Sequence, residues 1–178
     1  MLKNLSNFNN VADYLPIFTA ALLVDMVVIV QVVFRYIRFK SLDAWYNEFG
    51  FLAVLADALS ITIGIIIARA LYPLLFSEYY LFAFLSLTVA VQMTHDLLFA
   101  KLFYSIPKGL SRILDVFKSY GTEVGAQILL ADASMMVFTI LVASYLANFT
   151  LNTQLIVLIA ALYILPYLLY SIPKWRVI

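Results

Sequence analysis

The sequence predicts an all-α integral membrane protein, a single-domain bundle of about five transmembrane helices with one further amphipathic helix on the membrane interface. Three observations predict it. Apolar side chains make up 65% of the 178 residues and charged ones only 12%, a balance far from that of a soluble globular chain. The apolar residues gather in five stretches, at 15–37, 50–76, 79–104, 124–147 and 154–171, each near the ~20 residues that cross ~30 Å of hydrocarbon. The basic residues fall in alternate connections, as retention of Lys and Arg on the cytoplasmic side requires.

Each element has its own reason. Residues 1–14 are polar and rich in Asn, with no basic run ahead of a short apolar core, so they do not read as a cleaved signal and the first span acts as an anchor. Arg35, Arg38 and Lys40 follow that span. Ser41 then offers a helix cap, Asp43 an acid near a helix start, and Trp45 and Tyr46 side chains suited to the headgroup level. Near the outer end of the second span, Arg69 is placed to snorkel toward water. Pro73 and Glu78 mark a tight turn before the third span, and 148–153 a second one before the fifth.

Between the third and fourth spans, 107–120 carries Leu110, Ile113, Leu114 and Phe117 at helical spacing. That spacing predicts a helix lying flat on the inner interface, with Lys108, Arg112 and Lys118 as candidate contacts for anionic lipid headgroups. Lys101 adds to the same connection, and Lys174 and Arg176 to the tail. The bias is self-consistent with the N-terminus outside and the C-terminus on the cytoplasmic side.

Composition also excludes function classes. With no cysteine and one histidine, disulfides, thiol chemistry and soft-metal sites are not expected, and neither is a cofactor. A net charge of +1 argues against a nucleic-acid partner. No histidine cluster, nucleophile turn or phosphate-cradling glycine loop is present, so no catalytic residue is assigned and an enzyme is not expected.

The residues that ask for chemistry are four aspartates, one in each of the first four spans: Asp25, Asp57, Asp96 and Asp132. A carboxylate at membrane depth costs at least ~2.5 kcal/mol on insertion scales, so each needs a partner, a proton or water. Counting from the inner ends of the predicted spans puts Asp57, Asp96 and Asp132 in the inner half and Asp25 nearer the middle. Ala53, Asp57, Ser60, Gly64 and Ala68 make one stripe, and Thr88, Gln92 and Asp96 another, which face protein in preference to lipid. Gly125, Asp132, Thr139 and Ala143 align less cleanly, with Ser134 nearby, and Ala21 lies near Asp25.

Four converging carboxylates need neutralising by protons or by a cation, for which His95, Arg69 and Lys101 are the available bases. Two readings follow. In one, the aspartates with Ser60, Gln92, His95 and Ser134 in support tie helices together, and the role is structural or membrane-organising. In the other they form an ion or proton site in a small channel or transporter. Leu55-Ala56-Asp57-Ala58 and Leu130-Ala131-Asp132-Ala133 share nearly the same words, and Tyr104-Ser105-Ile106-Pro107-Lys108 recurs as Tyr170-Ser171-Ile172-Pro173-Lys174. The first pair suggests two parallel helix pairs related by duplication.

Gly50-Phe51-Leu52-Ala53-Val54-Leu55-Ala56-Asp57, Thr94-His95-Asp96-Leu97-Leu98-Phe99 and Gln127-Ile128-Leu129-Leu130-Ala131-Asp132, with the words around them, resemble an uncharacterised multi-pass membrane protein of nucleocytoplasmic large DNA viruses. The resemblance spans about 41–170. It implies a place in a host endomembrane or in the membrane beneath a viral capsid, and it carries no catalytic residues. The expected partners are lipid through the basic segment, a second copy through the aspartates, or a capsid or membrane protein.

Overall fold

In the computed structural model, residues 2–170 are described. They form α1 (Tyr14–Val33), α2 (Lys40–Phe49), α3 (Phe51–Leu75), α4 (Leu81–Ser105), α5 (Arg112–Val124), α6 (Gln127–Leu146) and α7 (Leu151–Tyr170), with a 3-10 turn at Val11–Asp13 ahead of α1. The described residues contain no strand. Five helices, α1, α3, α4, α6 and α7, are long and apolar enough to cross a membrane, and they match the five predicted stretches to within a few residues. The protein is an all-α bundle of the membrane class. The end of the fifth stretch, Lys174, Arg176 and the rest of the repeated Tyr-Ser-Ile-Pro-Lys word after Tyr170 lie outside the described residues.

Two boundaries differ from expectation, each for a local reason. The first span stops at Val33, short of 37, because Arg35 takes a left-handed backbone (φ +62°). The Arg35 N–H then donates to the Val32 carbonyl at 3.0 Å and the Tyr36 N–H to the Gln31 carbonyl at 2.8 Å, the pair of bonds that closes a Schellman cap. Glycine is the usual residue there, so the sequence gives no stop signal. The consequence is that Asp25 lies about 12 Å from the end of its helix at 1.5 Å per residue, still near the middle of α1.

The interfacial helix after α4 runs over Arg112–Val124 instead of 107–120. Gly109 (φ +93°) keeps the preceding residues in a loop, and the Ser111 hydroxyl caps the helix by accepting from the Leu114 N–H at 3.5 Å. At the far end Gly125, at φ +63° and ψ −142°, turns the chain sharply into α6. Pro73 lies inside the last turns of α3, not in the connection after it.

The spans pack in a reciprocal way: α1 lies on α3 and α6, and α4 lies on α6 and α3, while α7 covers α1 and touches α3. Gly64 allows α3, α4 and α6 to close up, since a Cβ there would stand 3.1 Å from Gln92 Oε1 and 3.2 Å from Met136 Cε. At one end α2 and α5 pair antiparallel, each acid near one C-terminus meeting the N-terminus of the other. Glu123 accepts from the Lys40 and Ser41 N–H groups at 2.9 and 2.8 Å and from Ser41 Oγ at 2.5 Å, capping the positive end of α2. Glu48 receives the Arg112 guanidinium in a two-pronged contact, with Nε at 2.6 Å. Each Glu stands two residues before a positive-φ glycine, Gly50 or Gly125, and each glycine seven residues before an aspartate, Asp57 or Asp132.

The opposite end is sealed by the N-terminal segment, which the sequence leaves as a polar leader. Leu5 is fully buried in a core cluster with Ile17, Ile65, Phe84 and Ile140. Asp13, also fully buried, accepts from Lys3 Nζ at 2.8 Å, Asn10 Nδ2 at 2.9 Å and Arg69 Nη2 at 3.3 Å. Arg69 therefore does not snorkel. It is wholly buried, bonds the Asn7 and Asn10 carbonyls as well, and sits 4.8 Å over the Tyr14 ring.

Two substitutions test these joints. Gly125→Ala meets no atom within 4 Å, whereas a Cβ at Gly50 would stand 2.6 Å from Tyr170 Oη. Thermal unfolding in detergent should register about 1–3 kcal/mol for Gly125→Ala from backbone strain alone, and more for Gly50→Ala; equal small effects would refute the assignment. Burial works to raise the Glu123 carboxyl, but the Ser41 and Lys40 bonds outweigh it and hold it below the ordinary value. Because the folded value is the lower one, this contact stabilises above the unfolded glutamate pKa of about 4.3 and is lost as pH falls below it. Glu123→Gln should remove that part of the acid-side fall in melting temperature.

Candidate functional site

At the α2/α5 end the bundle holds a cavity of about 1230 Å³, open on one side and lined from α1 through α6. The lining is mostly apolar and aromatic, and it includes all four predicted aspartates, Asp25, Asp57, Asp96 and Asp132. Among the described residues no Lys or Arg lines it. The expectation of a buried acidic layer holds fully only for Asp25, which has no exposure; the other three are half-buried at the cavity wall.

Each aspartate is supported differently. Asp25 Oδ1 accepts from the Tyr46 hydroxyl at 2.9 Å, and Asp57 Oδ2 from Trp45 Nε1 at 2.8 Å. Adjacent residues of α2 thus hold carboxylates on α1 and α3. Both aromatic side chains are buried, turned into the bundle instead of out to the headgroup level. Burial, then the Asp25 carboxylate beside it, holds the Tyr46 phenol well above its ordinary pKa, so it stays a donor. Asp96 Oδ1 accepts from Gln92 Nε2 at 2.7 Å, one turn earlier on α4, and lies 3.2 Å from His95 Nδ1. Asp132 has no hydrogen bond among the described residues; Asp96 and then Asp57 are its electrostatic neighbours. Tyr120, across from it on α5, is pushed up to about 12 by burial first and the Asp132 charge second.

The supporting residues divide. Ser60 and Gln92 line the cavity, Ser60 half-buried and Gln92 buried. His95 also lines it although its side chain is 51% exposed, and it is the one of the three expected bases that reaches one of the four cavity aspartates. Ser134 borders the cavity but spends its hydroxyl on the Leu130 carbonyl of its own helix, at 2.8 Å. Lys101 is exposed and away from the lining, and Arg69 belongs to the opposite end.

The basic residues proposed for headgroups are not equivalent. Lys108 is exposed. Arg112 is engaged by Glu48. Lys118 is turned inward, donating to the Ile106 carbonyl at 2.5 Å and lying 3.6 Å from Asp115. Asp115 also accepts from the Gly109 N–H at 2.9 Å, so these two side chains bolt the loop to α5. Phe117 of the predicted lipid face packs inward, its ring centroid 4.8 Å from Trp45 and 5.1 Å from Phe99, while Leu110 and Ile113 stay exposed.

Sequence reasoning overlooked Trp45, Tyr46 and Tyr120 as parts of the site, and Asp13 as the partner of Arg69. The available signal was two neighbouring aromatics with polar tips, 12 and 21 residues from two aspartates in need of donors.

Fold and site together define a multi-pass helical membrane protein with a one-sided, aspartate-lined cavity. No family model, curated protein or solved structure matches the chain.

Tyr46→Phe strips the donor from a carboxylate with no exposure, which should cost about 1–3 kcal/mol of stability. Asp25→Asn, which keeps an acceptor for Tyr46, should cost less. Denaturation in detergent checks both, and a Tyr46→Phe chain as stable as the native one would contradict the bond's importance.

Proposed function

We propose that this is a non-enzymatic membrane carrier of cations, protons included, that loads at the aspartate-lined cavity. One observation carries the reading: four carboxylates from α1, α3, α4 and α6 line a single cavity with no Lys or Arg among the described residues of its lining. Such a group attracts positive charge, and in a medium of low dielectric it does so more strongly than in water. The seal of Lys3, Asp13 and Arg69 closes the other end, so loading is from the α2/α5 side and release across the bilayer requires that seal to shift. The basic residues of the two connections at the α2/α5 end, Arg35, Arg38, Lys40, Lys108, Arg112 and Lys118, with Lys101 in the last turns of α4, favour the cytoplasm as that side.

A structural role is favoured by a separate observation. The Tyr46–Asp25 and Trp45–Asp57 bonds make those two acids struts that fasten α2 to the spans, which leaves Asp96 and Asp132 as the binding pair. The matched Glu-x-Gly and Asp positions, with the reciprocal packing of α1 and α3 against α4 and α6, support an origin by duplication of a three-helix unit. The resemblance in the words supports a viral or host-derived membrane as the setting, with lipid, a second copy or a capsid or membrane protein as partner.

Proton and monovalent-cation flux into liposomes tests the carrier. The native chain should exceed protein-free liposomes, and Asp96→Asn with Asp132→Asn, which keeps size and hydrogen bonding, should cut the flux by about tenfold or more. Folded protein with no flux, or flux indifferent to the double change, would leave the acids as struts.

A further inference from the structure

We propose that the cavity takes an organic ammonium ion with an apolar body, and that this is the substrate class of the site; the inference rests on the carrier reading above. The polar atoms of the lining are mismatched in one direction. Asp25 Oδ2 and Asp96 Oδ2 are buried without a hydrogen-bond partner, the Asp25 side chain more than nine-tenths buried, and both residues line the cavity, whereas Gln92 Oε1, also without a partner, packs toward Gly64. Each is an acceptor. The buried partnerless groups able to donate, Arg69 Nε and Nη1 and the hydroxyls of Thr19, Tyr79 and Thr139, lie outside the lining. With the Asp132 carboxylate added, the cavity offers acceptors and negative charge and asks for donors and positive charge, which an ammonium group combines in one atom.

The walls decide what the ammonium is attached to. A proton or a bare alkali ion needs only a few oxygens at short range, and the described residues contain no group of three or more His, Asp or Glu placed to hold a metal ion. The space is instead about 1230 Å³, within reach of a molecule of many carbons. Trp45, Phe99, Phe117 and Tyr120 contribute aromatic faces, which attract both apolar surface and a cation. Exposed lining side chains at the edge, among them Val27, Leu97 and Phe138, are apolar. That edge faces acyl chains in a bilayer and suits entry of an amphiphilic molecule by its apolar end.

The test reads Trp45 fluorescence in the full chain carrying Trp175→Phe, reconstituted in nanodiscs and titrated with dodecylammonium, phenethylammonium and uncharged dodecanol. Saturable quenching by either ammonium, absent with dodecanol and weakened about tenfold by Asp132→Asn, is the expected result. Dodecylammonium alone would mark a long-chain amine drawn from the bilayer; phenethylammonium as well would mark a soluble aryl amine. Asp132 makes no hydrogen bond among the described residues, so its change should leave the fold in place; a matching melting curve verifies this, and Asp96→Asn serves as the second variant. Dodecanol quenching as well as the amines, or amine binding untouched by both variants, would overturn the ammonium site. Aspartate-dependent ion flux without amine binding would overturn it while the carrier reading stands. Amine binding without flux would do the reverse.

Discussion

Trp45 and Tyr46 stand next to each other in α2 and donate to carboxylates on two different spans, Asp57 and Asp25. Much of the architecture depends on that pair of bonds. A carboxylate on an apolar helix needs a donor, and a helix that supplies two donors from adjacent positions is drawn off the membrane surface and under the bundle. Once there, Trp45 meets Phe117 of α5, so the second surface helix is carried inward with the first.

The Glu48–Arg112 and Glu123–Ser41 contacts then brace α2 against α5 from both ends. The braced pair forms a floor, and the spans above it do not fill the space: α3 and α6 meet only lightly. The cavity lies in that gap. The same bonding rule closes the other end differently, since Arg69 is satisfied by Asp13 and backbone carbonyls of the N-terminal segment. The bundle is thus sealed by an ion pair at one end and hollow above the α2/α5 floor at the other.

Most of the fold was legible in the sequence, and the reason is the bilayer length scale. Runs such as 51–75 and 127–146 admit little besides a spanning helix, since lipid offers the backbone no other partner. Thr88 and Gln92, and Ala53, Gly64 and Ala68, turned inward as the helical repeat required, while Asp57, Ser60 and Asp96 of the same stripes are half-buried at the cavity. Less legible were features set by single backbone choices or by distant contacts. Arg35 in a left-handed conformation ends α1 where no glycine gives warning. Lys118 looks like a headgroup contact by its position on a basic helix, and is instead consumed by the Ile106 carbonyl and Asp115.

The sequence by itself determined the class, the number of spans and the presence of one aspartate in each of four of them, because hydropathy and periodicity are properties of consecutive residues. Only the tertiary structure decided which donors those aspartates receive, that Arg69 pairs with Asp13 across fifty-six positions of chain, and that the four carboxylates share one cavity. Those outcomes depend on which helices come to lie side by side. Hydrogen bonds and ion pairs act over a few ångströms between residues far apart in the chain, and no local pattern of residue types records them.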